Sequence, residues 1–178
     1  MWRDLAKLIT VATLFAACFL ALAGVIGASS PWLGLLLMFY FMGLAKVAEP
    51  LFTLRLPRTL RAVDLGLPRY RPYRWLGVHG FGDLLQNTPL RYLNNSVYRS
   101  STRRSLAKLQ RQVESAEATH FWAAVLFTPY IAYVLARGFF AEALLFIAVQ
   151  IAFNIYPILH LRLVRARLIR VGRAGRLH

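Results

Sequence analysis

LITVATLFAACFLALAGVIGASSPWLGLLLMFYFMGLAKVA, residues 8–48, holds a single charged side chain, Lys46, close to its end. About 20 apolar residues suffice for one helical crossing of a bilayer, so this run is long enough for two. Ser29-Ser30-Pro31 interrupts it near the middle and reads as a turn. Residues 8–28 and 31–48 are therefore expected to form a hairpin of two transmembrane helices. Arg3 and Lys7 precede the first of them and Gly27-Ala28-Ser29 is small, in the manner of a signal peptide. Its apolar core is too long for that, and a second span follows with no mature domain between. Two more apolar runs, 119–136 and 139–160, lie near the other end. Arg137-Gly138 joins them, glycine being the residue favoured just past a helix C-terminus. The expected fold is an all-α membrane protein: four transmembrane helices in two hairpins around a polar middle segment, 49–116, with a basic tail, 162–178. All 178 residues form one membrane domain in this reading.

Composition agrees. The chain is 58% hydrophobic and only 16% charged, with a mean hydropathy of +0.48. So much apolar side chain excludes a disordered polymer, and a lone cysteine, Cys18, excludes a disulfide scaffold. The charge is lopsided: 22 Lys and Arg against 7 Asp and Glu, a net +15. Arg137 is the one basic residue on the side of the two short turns; the N-terminus, the middle segment and the tail hold the others. Cytoplasmic segments carry the excess of Lys and Arg, which puts both termini and the middle segment in the cytoplasm of a bacterial-type inner or plasma membrane. Nucleic acid is not an expected partner. No nucleic-acid motif is present, and the arginines stand where topology wants them. Arg162, Arg165, Arg167, Arg170, Arg173 and Arg176 mark topology and rest on anionic lipid, or else touch an anionic substrate group.

Within the middle segment, leucines alternate with Arg55, Arg58 and Arg61 while Pro57 and Pro68 interrupt, a pattern for short helical turns on the headgroups. Pro72, Gly77, Gly80, Gly82 and Pro89 exclude a long helix before Leu90. Ser101 or Thr102 can cap a helix starting near Arg103, with Leu106, Leu109, Val113 and Ala116 on one stripe, running straight into the third span.

Ionisable and amide groups inside apolar spans are functional candidates by default. Here they are Glu117, His120, Glu142, Gln150, Asn154 and His160. Glu142 is explained as a first-turn acid. Glu117 and His120 continue the apolar stripe and are three apart, so they lie on adjacent turns. His120 stands about seventeen residues before the second turn and Asn154 about sixteen after it, hence at nearly one depth. Gln150, Asn154 and Arg165 share a face if the fourth helix stays straight, and Pro157 can kink it. Glu117, His120 and Asn154 thus form one expected polar cluster. A carboxylate beside an imidazole suits a general base for a hydroxyl, and Asn can donate to an oxyanion. The same three residues can equally be a buried network pinning two helices together. Glu-x-x-His also occurs in di-iron bundles, but the further carboxylates such sites need are missing, and no metal is expected.

At these residues the chain resembles a known family. Ala116-Glu117-Ala118-Thr119-His120-Phe121-Trp122 is similar to the Ala-Glu-x-x-His-aromatic motif of glycosyl-4,4'-diaponeurosporenoate acyltransferases, small membrane enzymes of carotenoid biosynthesis. Asn154-Ile155-Tyr156-Pro157 followed by Arg162, Arg165 and Arg167-Leu168 resembles a second block, and Tyr70 to Leu85 a looser third. The resemblance implies transfer of a fatty acyl group to a sugar hydroxyl of a lipid-soluble glycoside at the cytoplasmic face. His120 would then be the base, Glu117 its orienting partner and Asn154 the oxyanion donor. Arg162 and Arg165, with Arg167 and Tyr156, would hold the phosphates of a donor such as acyl-CoA. No cofactor is implied beyond that co-substrate. Expected partners are membrane lipid, the lipophilic glycoside and the acyl donor, with a monomer and a dimer both permitted. The rival expectation is a non-catalytic adaptor subunit that binds anionic lipid or a partner membrane protein.

Overall fold

The computed structural model describes residues 2–28, 30–48, 54–66, 71–87 and 106–174. Those residues are helical with short connections: α1 Trp2–Ile26, α2 Pro31–Ala48, α3 Arg58–Arg61, α4 Arg71–Trp75, α5 Val78–Asn87, α6 Leu106–Ala136, α7 Phe140–Gln150, a π-helical turn Ile151–Ile155, and α8 Tyr156–Ala174. Four stretches are long and apolar enough to cross a membrane: α1, α2, α6 and the run Phe140–Arg173. The expected all-helical class with four such helices is what the chain forms. The caps expected at Ser101 or Thr102 lie outside the described residues. From Leu106 onward the helix does continue unbroken into the third apolar run.

Two compact units divide the chain, Met1–Leu54 with Thr119–Ile155, and Arg55–Ala118 with Tyr156–His178. In the first, Gly27 closes α1 at φ +85° and Pro31 opens α2. Glycine has no Cβ penalty at positive φ, and proline is pre-set for a helix's first turn. The tight turn therefore begins two residues before Ser29-Ser30-Pro31. The second hairpin turns as expected at Gly138, φ +80°. Phe139 N–H donates to Val134 C=O at 3.2 Å and Gly138 N–H to Leu135 C=O at 3.0 Å, the paired bonds of a Schellman motif.

Met38 of α2, Phe127, Ile131 and Val134 of α6, and Ala143 and Phe146 of α7 make this unit's buried core. Gly34 lets α2 come close to α7: a Cβ there would run into the Phe146 ring. Phe15 stacks on Tyr40 across the first hairpin, ring centroids 3.4 Å apart, and the Tyr130 hydroxyl donates to the Ala28 carbonyl. The outer faces are apolar too. Leu14, Leu20, Val25, Phe140 and Leu144 are each more than 60% exposed, and no residue of α1 is buried. Helices apolar all round need an apolar surrounding.

In the second unit α5 lies against α8. Phe81 meets Tyr156 and His160, ring centroids 5.6 and 6.1 Å apart. Leu56, Val78, Val113, Ala118, Leu161, Leu163 and Ala166 are buried there. The basic stretch after Leu161 is helical through Ala174.

Candidate active site

The run Phe140–Arg173 departs from regular α-helix at a π turn that ends two residues before Pro157. Pro157 has no N–H for the Phe153 carbonyl four residues back, and its ring crowds that oxygen. The helix widens over Ile151–Ile155, the kind of π-bulge that recurs at functional sites. A widened turn also changes the angular phase, so a straight-helix projection no longer relates Arg165 to Gln150 and Asn154, which do meet.

Asn154, the fourth residue of this turn, is fully buried. Its Nδ2 donates to Gln150 Oε1 at 2.9 Å, and Gln150 Nε2 donates to the Ala124 carbonyl of α6 at 2.9 Å. The Asn154 side chain and the Phe153 carbonyl are the polar groups that interact with the His120 ring. Asn154 Oδ1 and His120 Nδ1 are both buried without a hydrogen-bond partner. Buried polar atoms are nearly always paired, and unpaired ones call for a reason. Of the expected cluster, then, His120 and Asn154 come together, with Gln150 behind them.

Glu117 belongs to a different constellation, in the other unit. It is wholly buried. Arg162 Nε donates to its Oε1 at 3.0 Å and Arg165 Nη1 to its Oε2 at 2.5 Å. Both carboxylate oxygens are thus engaged by guanidinium groups. The same arginines reach the proline-broken segment: Arg162 Nη2 donates to the Leu60 carbonyl, and Arg165 Nη2 to the Arg61 carbonyl at 3.0 Å. Arg170 does likewise at Leu65, and Arg61 itself faces Glu114 at 3.8 Å. Charged donors make stronger hydrogen bonds than neutral ones, and the guanidinium fork serves several acceptors at once. Tyr73 of α4 lies in this field. Burial pushes its phenol above the usual range, Arg162 pulls it down, and Glu117 pushes it up.

The remaining expected residues have simple placements. Tyr156 donates its hydroxyl to the Leu76 carbonyl at 2.8 Å, which ties α8 to the α4–α5 turn. Arg167 is exposed. Glu142 sits in the first turn of α7 and Cys18 is exposed on α1. Among the described residues, no three His, Cys, Asp or Glu side chains cluster.

A sequence model of the glycosyl-4,4'-diaponeurosporenoate acyltransferase family matches residues 57–174. The chain belongs to that family. No curated protein and no solved structure matches it. The match takes in Glu117, His120, Gln150, Asn154 and the α8 arginines, and leaves out α1 and α2. Membership in this acyltransferase family gives the His120–Asn154 pair and the Glu117 network a reaction class against which to be read.

Two members of these constellations had no strong signal in the sequence. Tyr73 sits in a segment read only as one where prolines and glycines exclude a long helix, and the carbonyl acceptors at Leu60, Arg61 and Leu65 have no side-chain signature at all. Gln150 was visible as an amide on the same face as Asn154, but the Ala124 carbonyl to which it donates was not.

Proposed function

We propose that this protein transfers a long-chain acyl group from acyl-CoA to a sugar hydroxyl of a glycosylated carotenoid, with His120 as general base. The observation that carries this reading is the His120–Asn154 pair: an imidazole held at a π turn beside an amide oxygen with no other partner, in a member of an acyltransferase family. His120 Nε2 takes the proton of the acceptor hydroxyl as that oxygen attacks the thioester carbonyl. The tetrahedral intermediate collapses with cleavage of the C–S bond. The imidazolium returns its proton to the leaving thiolate, so no acyl-enzyme is needed.

Asn154 is assigned to His120, against whose ring its side chain lies; one of its two amide protons goes to Gln150 Oε1 and the second is left for an oxyanion. Glu117, with both oxygens taken by arginines, acts as the counter-charge that holds Arg162 and Arg165 in place. The anionic groups of the donor fall to Arg162, whose side chain is 23% exposed, and to exposed Arg167. Tyr156 supports the α4–α5 turn. The four apolar helices lie in a bilayer, and the excess of arginine outside the two short turns puts both termini on the cytoplasmic side, where acyl-CoA is available.

The test is turnover by purified protein in lipid nanodiscs given palmitoyl-CoA and glycosyl-4,4'-diaponeurosporenoate. Wild type produces the acylated glycoside, and His120→Ala loses on the order of 10²-fold or more. Equal rates for the two would remove His120 from the chemistry. No product from correctly folded wild type would favour an adaptor.

A further inference from the structure

We infer that Gln150 is a positioning residue for the proposed acyl transfer: through Asn154 it holds His120 as the neutral Nδ1–H tautomer, leaving Nε2 as the proton acceptor. The role in catalysis rests on the reading above; the tautomer is inferred from the orientation of the two amides and from the two buried atoms left without a partner.

The Ala124 carbonyl can only accept, so the group of Gln150 that meets it at 2.9 Å must be the amide nitrogen. A second contact agrees. Thr128 gives its hydroxyl proton to the same Ala124 carbonyl at 2.8 Å, so its oxygen can only accept from Gln150 Nε2, which lies 3.5 Å away. Both Gln150 amide protons therefore point toward α6, and its Oε1 faces Asn154. An oxygen there requires the Asn154 nitrogen opposite, as found at 2.9 Å. The orientation of the second amide is set by the first. Asn154 Oδ1 is then turned the other way, buried and unpaired.

An amide oxygen cannot donate. The ring that interacts with Asn154 is His120, whose Nδ1 is likewise buried and unpaired. A proton on Nδ1 offers a donor to the orphaned Asn154 Oδ1, whereas a lone pair there would leave both buried atoms without a donor, the other polar neighbour of the ring, the Phe153 carbonyl, being itself an acceptor. A neutral imidazole protonated at Nδ1 carries its lone pair on Nε2. A backbone carbonyl on α6 thus dictates, through two amides, which nitrogen of His120 is the base.

The experiment combines ¹⁵N NMR of histidine-labelled protein in detergent, assigned with His120→Gln, and steady-state kinetics with palmitoyl-CoA and glycosyl-4,4'-diaponeurosporenoate. In wild type, His120 is expected as the Nδ1–H tautomer. Gln150→Leu keeps the volume and loses the relay. It should populate both tautomers and lower kcat about 10- to 100-fold with KM for palmitoyl-CoA unchanged, as small misplacements of a catalytic group do. Gln150→Glu, protonated in this buried setting, can donate to Ala124 and accept from Asn154, and should retain most of the rate. An Nε2–H tautomer in wild type overturns the inference, as does wild-type kcat in Gln150→Leu. Should wild type show the Nδ1–H tautomer yet make no acylated product, the relay stands and the acyl-transfer reading fails.

Discussion

Replacing Glu117 by Gln removes one negative charge from between two guanidinium groups that sit 3.0 and 2.5 Å from its oxygens. The carboxylate is wholly buried, and the Arg165 side chain is 4% exposed, so water cannot compensate for the loss. Breaking a buried ion pair by removing one partner costs about 3–5 kcal/mol, most of it the penalty of a stranded charge. At 1.4 kcal/mol per tenfold, that is about a 10²- to 4 × 10³-fold fall in the folded-to-unfolded ratio. Arg162 is nearer the surface and keeps its Leu60 carbonyl, so Arg165 should carry the larger share. Denaturant unfolding of the detergent-solubilised protein measures the effect. A double-mutant cycle with Arg165→Met should return a coupling of about 1–3 kcal/mol, because the double variant no longer strands the deeply buried Arg165 charge. Raising the salt should scarcely change it, since buried pairs are poorly screened. A Glu117→Gln protein within about 0.5 kcal/mol of wild type, the range of ordinary surface substitutions, would refute the reasoning.

Tyr73 makes stability fall at alkaline pH. Its phenol is raised in the folded state by burial first, so its contribution is complete below the unfolded value of about 10 and is lost as pH rises through the higher folded value. Tyr73→Phe should flatten that alkaline loss, seen by comparing unfolding of the two proteins on either side of about pH 10; an unchanged profile would contradict it. Pro157→Ala returns an N–H to the Phe153 carbonyl and should let the π turn relax to α-helix. Asn154 is then carried out of phase with His120, so kcat should fall about 10- to 100-fold while the melting temperature holds or rises. Wild-type turnover in Pro157→Ala would show that the π turn is incidental.

The helices were legible because membrane spans announce themselves. Leu8–Ala48 and Phe140–Leu161 need no partner to be recognised, and Gly138 marks its own turn. Gly27 was harder to see: Ser-Ser-Pro looks like the turn, but the chain reverses where the residue without a Cβ stands. The polar residues were identified one by one, and matching depth and a shared face already put Asn154 with His120 and Gln150, but the grouping of Glu117 was not legible. A helical projection shows which residues share a face, and says nothing of what packs against it. Glu117 and His120 looked like a pair because they are three apart. The partners of Glu117 are 45 and 48 residues away, where proximity depends on tertiary packing. Pro157 was read as a kink, and the π turn just before it decides where Asn154 points. The arginines of 162–173 read as a topology signal, but three of them also hold backbone carbonyls of the 60–65 stretch, acceptors that leave no trace in side-chain chemistry.

The central claim, that this chain moves an acyl group with His120 as base, is tested most directly in cells that make glycosyl-4,4'-diaponeurosporenoate. Lipid extracts are compared by mass spectrometry after expression of wild type and His120→Ala at matched membrane abundance. The account predicts that wild type alone converts the glycoside into a species heavier by one fatty acyl group. The same acylated species in both strains, or in neither with the wild-type protein present and folded, would contradict it.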